Sequence, residues 1–209
     1  MRAGRPRGFC VDDALDRAMT VFWRNGYEGA SMSELTAAMG INSPSLYACF
    51  GNKEGLFRAV LERYEERRKT FMENVLAAPD MHELARRYLH GVADFAADTS
   101  GKNPPGCLLL QSGLSCGEET IPDELARHRG EKEKALRARL EDARGKGELS
   151  KDADPAALAR YLMTVSNGIC VQAASGASST ELHDVADMAL KAWPAGAPRK
   201  TKSRAKASA

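Results

Sequence analysis

The chain has 209 residues, of which 43% are hydrophobic and 28% are charged. This composition excludes collagen-like, wholly disordered and disulfide-dense proteins, and it supplies enough apolar residues for the core of one or two domains. The net charge of +2 does not by itself indicate a nucleic-acid partner, because residues 199–206 hold five cations and no acid and so leave −3 on residues 1–198.

The targeting and cysteine patterns favour a cytoplasmic protein. No apolar run approaches the ~20 residues of a membrane-spanning helix. The basic first residues are not followed by the apolar segment of a secretory signal. The five cysteines are odd in number and form no Cys-x-x-Cys pair, which disfavours a disulfide framework and fits reduced thiols.

Two helices are predicted at the start of the chain. Helical periodicity runs from Val11 to Asn25-Gly26, a pair typical of a helix C-terminus, which predicts a first helix over about residues 11–25. Ser31 and Glu34 form an S-x-x-E capping box, so we expect a second helix to begin there and to end at Gly40.

A third and a fourth helix follow closely. Ser43 is predicted to be an N-cap, with Pro44 in the first helical position, so only three residues separate the second and third helices. Asn52 is predicted to cap a fourth helix that ends before Pro79. Two helices joined by such a short turn, with glycine at the turn, indicate a helix-turn-helix unit.

The remainder of the chain is also predicted to be helical. A fifth amphipathic helix carries Leu84 to Phe95, and a highly charged helix spans 131–148 with a thin apolar stripe. Asp154-Pro155 and a second capping box at Ser178 begin two further helices. The helix over 155–175 is apolar around so much of its circumference that it must be covered on two faces. The predicted fold class is all-α.

The third helix is the candidate DNA-reading element. Small or polar side chains that can approach base edges lie at its start, namely Ser43, Pro44 and Ser45. We expect these three residues to contact bases, because the N-terminal residues of a recognition helix face the major groove. Leu46 and other apolar residues of the unit are expected to lie in the core.

The segment GYEGASMSELTAAMGINSPSLYACFGNKEGLF, residues 26–57, resembles the N-terminal domain of the TetR/AcrR family of transcriptional regulators. The resemblance implies an all-helical homodimer of about nine helices. Three would form a DNA-binding head, and the others would form a ligand-binding and dimerising body. The corresponding domains are 1–52 for the arm and head, 53–194 for the body, and 195–209 for a basic flexible tail, which is either a solvated end or a second DNA contact.

Contacts with the DNA phosphates are assigned by the same resemblance. Tyr47 and Lys53 match family positions that contact phosphate, and Lys53 also lies at a helix start, where free amides favour anions. Ser31 is expected to contact the backbone as well. Arg5 and Arg7, with Arg2, form a basic arm that reaches phosphates or the minor groove, or else is a solvated chain end.

The dimer is predicted to form through the last two helices. They carry more apolar surface than one body covers, and pairing with their copies would give a four-helix bundle around a two-fold axis. The expected interface residues are Leu158, Tyr161, Val165, Ile169, Val185, Ala189 and Trp193.

Cys107 is the candidate sensor of a chemical signal. It follows Pro104-Pro105-Gly106 and is expected in the first turn of a helix, where free amides favour a thiolate. The resemblance adds that some family members which sense electrophiles or oxidants have a cysteine in this region. The alternative is a small buried hydrophobe. Cys116 is a poor disulfide partner, because nine residues of straight helix would separate the two thiols by about 13 Å.

No catalytic, metal-binding or cofactor motif is present in the sequence. The four histidines are interpreted as isolated, and we expect no metal and no cofactor. The predicted function is a ligand-responsive repressor that binds a palindromic DNA operator as a dimer and is released by a small molecule or by thiol modification. The alternative is a helical small-molecule-binding protein or enzyme whose helix-turn-helix is only architectural.

Overall fold

The computed structural model describes residues 9–98, 101, 103–113 and 120–194. Within these ranges the chain forms nine α-helices and no strand, as the all-α prediction requires. No described helix combines the length and the apolar character needed to cross a bilayer. The helices are α1 Val11–Gly29, α2 Met32–Met39, α3 Ser43–Phe50, α4 Lys53–Leu76, α5 Met81–Ala97, α6 Leu108–Gly113, α7 Thr120–Gly145, α8 Pro155–Ala174 and α9 Ser179–Lys191.

Most helix starts are confirmed by the capping side chains that predicted them. The Ser31 hydroxyl accepts from the Glu34 amide while the Glu34 carboxylate accepts from the Ser31 amide, and the same reciprocal pair caps α9 at Ser178. The Asn52 side chain accepts from the amide of Gly55 at 2.7 Å and caps α4. These bonds satisfy amides that have no partner inside the helix.

Three local predictions were wrong in detail. The N-cap of α3 is Asn42, not Ser43, because the Asn42 side chain accepts from the Ser45 amide. The first helix breaks at Gly26, where φ is +70°, but another helical turn follows and α1 ends at Gly29. The charged helix α7 begins at Thr120, about three turns before the charged run.

Buried side chains form two clusters. The N-terminal core joins α1, α2 and α3 to the first half of α4, and it also includes Leu108 and Leu109 of α6 and the start of α7. The body core joins α5, α8 and α9 to the end of α4 and the second half of α7. The N-terminal core therefore extends past the predicted domain boundary at 52/53, through Leu56 and Phe57 of α4.

The helices α1 and α4 are held together by aromatic and ionic contacts. Phe22 meets Phe57 edge to face, with ring centroids 4.9 Å apart. Arg63 forms two hydrogen bonds with the Asp16 carboxylate, at 2.8 and 3.1 Å. The hydrogen bond from Arg63 lowers the pKa of Asp16, and Arg67 acts in the same direction. These contacts fix α1 against the first half of α4.

Gly55 sets the junction between α3 and α4. A Cβ atom at this position would lie 2.1 Å from the carbonyl oxygen of Phe50, the last residue of α3. A side chain would therefore push the end of α3 away from α4, and the contacting atom is backbone that cannot rotate aside. Gly130, within α7, offers a contrast because no atom lies within 4 Å of its added Cβ.

We expect Gly55→Ala to destabilise the protein by roughly 1–3 kcal/mol, as overpacking does. Gly130→Ala is the matched control and should stabilise it by about 0.5–1 kcal/mol, because alanine favours an open helix interior. Denaturant unfolding at one fixed protein concentration measures both. Equal effects of the two substitutions would contradict the close approach at Gly55.

Candidate functional site

The turn between α2 and α3 has the geometry of a helix-turn-helix. Gly40 adopts a left-handed conformation with φ of +68°, and its amide and that of Ile41 bond to carbonyls in the last turn of α2. Such a C-cap ends α2 sharply and favours glycine at this position. Leu46 is completely buried in the N-terminal core and anchors α3.

The opposite side of α3 is open to solvent. Ser43, Pro44 and Ala48 are exposed, Tyr47 is 51% exposed, and Ser45 is half-buried. The three residues predicted to contact bases thus occupy the first turn of α3, and two of them are exposed. Their side chains carry no charge, so recognition by them would depend on hydrogen bonds and shape.

The residues predicted to contact phosphate have different surroundings. Lys53, in the first turn of α4, donates from Nζ to the Glu28 carbonyl at 3.3 Å and lies 4.6 Å from the centre of the Tyr27 ring. The Ser31 hydroxyl donates to the Glu34 carboxylate at 2.8 Å, so a phosphate would compete with the cap of α2. The predicted arm with Arg5 and Arg7 lies outside the described residues, as does the basic tail.

The predicted dimer residues divide between surface and interior. Val185 on α9 is 43% exposed, whereas Ile169 on α8 is completely buried in the body core. Ile169 therefore cannot contribute directly to a surface, because the helices α5 and α9 already pack against α8. Met188, which is not among the predicted residues, is 64% exposed on α9. Of the other predicted residues, Leu158, Tyr161 and Val165 are half-buried, and Ala189 and Trp193 are buried.

Cys107 lies at the boundary of the two cores and packs against both. It precedes α6 rather than lying inside its first turn, and its carbonyl accepts from the amide of Gln111. Its thiol lies 3.4 Å from the Tyr64 hydroxyl, which accepts a hydrogen bond of 2.5 Å from Arg68. The suggested partner Cys116 lies outside the described residues.

The environment of Cys107 favours the thiolate, but not chiefly because of a helix N-terminus. A hydrogen bond from Cys170 of α8 is the main reason that the pKa of Cys107 lies well below its ordinary value. The charges of Arg68 and Lys132 act in the same direction, and burial opposes them. Cys170 was not a predicted site residue, because 63 positions separate it from Cys107 and no local motif connects them.

Two of the histidines interpreted as isolated are in contact. His90 of α5 and His183 of α9 stack with ring centroids 5.0 Å apart, and their Nδ1 atoms are 2.7 Å from each other. Their Nε2 atoms contact Asp187 and Asp94, respectively. Among the described residues, no group of three or more histidine, cysteine or acidic side chains is arranged to hold a metal ion.

Comparisons with known proteins agree with this architecture. The family model described as bacterial regulatory proteins, tetR family, matches residues 14–60. The chain is 35% identical to the HTH-type transcriptional repressor ComR of Escherichia coli (strain K12), over 91% of this chain and 92% of ComR. It is 32% identical to the HTH-type transcriptional regulator YezE of Bacillus subtilis (strain 168), over 90% and 97% of the two chains.

A solved structure supports the same assignment. A cysteine mutant of the TetR family transcriptional regulator CifR, complexed with a 26-bp double-strand operator DNA, is 40% identical to the chain. Its TM-score is 0.85, and the match covers 91% of this chain and all of that one. The resemblance read from residues 26–57 is thus confirmed over nearly the whole length, and the chain belongs to the TetR family of bacterial transcriptional regulators.

Proposed function

We propose that the protein represses transcription by binding a palindromic operator as a homodimer and releasing it when a signal reaches the body. The exposed, uncharged face at the start of α3 is the observation that carries this proposal. The structural similarity to CifR, which is complexed with operator DNA, supports it. Because the DNA of a bacterium is cytoplasmic, we also propose a cytoplasmic location.

In this proposal the head contacts bases through Ser43, Pro44 and Ser45. Tyr47 and Lys53 contact phosphates on either side, and the arm and Ser31 add further backbone contacts. Phosphate contacts orient a protein on the duplex, whereas base contacts determine its sequence preference. The head comprises residues 1–52 and the body residues 53–194, and α4 contributes to the cores of both.

Two features of the body are suited to receive a signal. A groove of about 610 Å³ lies between α4 and α7 and is lined by charged side chains that include Glu62, Lys69 and Arg127. The second feature is Cys107, where the two cores meet. We propose that a small molecule or modification of this thiol changes the position of α4. A coupling of about 1–3 kcal/mol would change operator affinity roughly 5- to 150-fold.

The proposal predicts sequence-selective binding to DNA upstream of the protein's own gene. Purified, reduced protein should bind its preferred site at least about 10³-fold more tightly than unrelated duplex. Fluorescence anisotropy with both DNAs in one salt series measures this ratio. Equal affinity for the two duplexes would favour the alternative of a small-molecule-binding protein with an architectural helix-turn-helix.

We expect Lys53→Ala to weaken operator binding and to lower the slope of log affinity against log salt by about one unit, because one phosphate contact is lost. Tyr47→Phe should weaken binding about tenfold through loss of a hydrogen bond to a charged acceptor. Lys134→Ala, at an exposed position of α7, is the matched control and should leave the slope unchanged. If Lys53→Ala weakened binding without changing the slope, the effect would come from loss of its contact with the Glu28 carbonyl and not from loss of a phosphate contact.

We expect Met188→Glu to shift the protein from dimer to monomer, because a charge would be buried in the proposed interface between copies of α9. The dimer dissociation constant should rise at least tenfold, which corresponds to about 1.4 kcal/mol. Light scattering across a concentration series measures it, with the exposed Ala138→Glu on α7 as control. If Met188→Glu folded and its dimer dissociation constant were unchanged, the dimer interface would not include this face of α9.

A further inference from the structure

The two cysteines Cys107 and Cys170 come from distant parts of the chain and meet inside the body. Both thiols are free, and both residues line the same small cavity in the body. Gly106 permits this approach, since an added Cβ there would lie 3.1 Å from the Cys170 carbonyl oxygen and from the Ala174 side chain. Gly106 also has φ of +97°, which other residues rarely adopt.

Positive charge surrounds the pair. Arg68 and Lys132 line the cavity onto which both thiols open, together with Arg129. Burial raises the pKa of Tyr64 well above its ordinary value, so its hydroxyl keeps its proton and can donate to the Cys107 sulfur. Cationic and hydrogen-bonding neighbours stabilise a thiolate, which is the nucleophilic form of cysteine.

The cavity is small. Its volume is about 40 Å³, and about 10–15 Å³ of such space accommodates one water molecule. It therefore admits a molecule of a few heavy atoms and excludes a bulky ligand. Hydrogen peroxide has the size and polarity that this space allows.

We propose that Cys107 and Cys170 form a dithiol sensor in which a small hydroperoxide oxidises Cys107 and Cys170 then closes a disulfide. This inference deepens the thiol-dependent release of DNA proposed above and depends on it for its biological consequence.

The chemistry proceeds in two balanced steps. The Cys107 thiolate attacks one peroxide oxygen, an S–O bond forms as the O–O bond breaks, and the departing oxygen takes a proton from solvent and leaves as water or an alcohol. Cys170 then loses its proton and attacks the Cys107 sulfur. The S–S bond forms, the S–O bond breaks, and the hydroxide leaves with that proton as water. The two thiols lose two electrons, which reduce the peroxide.

The order of the two steps follows from the charges. The hydrogen bond with Cys107 is the main reason that the pKa of Cys170 is raised, so Cys170 stays protonated beside the thiolate. Oxidation of Cys107 to an uncharged sulfenic acid removes that negative charge. Cys170 then loses its proton more readily and becomes the second nucleophile.

Disulfide formation would alter contacts of the N-terminal core. A disulfide holds its sulfurs about 2.05 Å apart, closer than two free thiols can pack. The loop before α6 would therefore move toward α8. Leu108 and Leu109 follow Cys107 directly, are buried in the N-terminal core, and belong to a helix that packs on α1. The movement of α6 would thus reach the head.

The test begins with the reduced full-length protein and equimolar hydrogen peroxide. Free thiols are then blocked by alkylation, and a non-reducing digest is analysed by mass spectrometry. We expect one crosslink, between Cys107 and Cys170, while Cys10 and Cys49 remain alkylated. A crosslink between Cys107 and Cys116, or none, would overturn the assignment of Cys170.

Variants separate the two chemical roles. Cys170→Ser and Cys170→Ala should stop at a Cys107 sulfenic acid that dimedone traps, whereas Cys107→Ser should not react, and Cys49→Ser should behave as the parent does. Circular dichroism identifies any variant that fails to fold. The mechanism is then judged on whichever of the two Cys170 variants is folded. A crosslink that persists in it, or the absence of trapped sulfenic acid, would contradict the mechanism.

Operator affinity distinguishes this inference from the proposed function. The reduced protein should bind the operator, oxidation should lower the affinity at least tenfold, and dithiothreitol should restore it. Operator binding without crosslinking would overturn the dithiol sensor alone. A crosslink in a protein that never binds DNA would overturn the proposed function and leave the chemistry intact.

Cumene hydroperoxide should react at least tenfold more slowly than hydrogen peroxide, and equal rates would contradict reaction inside the cavity.

Discussion

Both cores of this protein depend on one helix. The first half of α4 supplies Leu56 and Leu61 to the N-terminal core, and its end supplies Val75 to the body core. The helix has 24 residues, which corresponds to a length of roughly 36 Å. Because the hydrogen bonds along it make it stiff, a displacement at one end is transmitted to the other. A shift at the body end of α4 would therefore be transmitted toward the head.

Tyr64 lies near the middle of this helix and joins three parts of the molecule. Its ring meets Trp23 of α1 edge to face at 5.4 Å, and its hydroxyl contacts Cys107 and Arg68. Arg68 in turn lies 5.0 Å from the ring centre of Phe95. Phe95 is 43% exposed although it continues the apolar stripe of α5, and its contact with a guanidinium explains its position at the edge of the core.

The sequence was sufficient to predict features whose causes are local. Helix starts at Ser31, Asn52 and Ser178 were found correctly because each cap acts within three residues. The pairs formed between distant segments were not found, since nothing near Cys107 indicates Cys170 and nothing near His90 indicates His183. The sequence also could not show which residues of α8 are buried within one chain. A helix that is apolar on two faces can have either face covered by the same chain and the other by a second copy.

At the α3–α4 junction, some residues of the head can be substituted without disturbing the fold and others cannot. Gly55 leaves no room for a side chain against the Phe50 carbonyl, so a side chain at this position would change the angle of α3. The exposed residues at the start of α3, in contrast, contribute nothing to the core. Substitutions at Ser43 or Pro44 therefore leave the packing of the core unchanged. Over evolutionary time such a protein can acquire new operators while its fold stays unchanged, and duplicated copies can diverge in target before they diverge in structure.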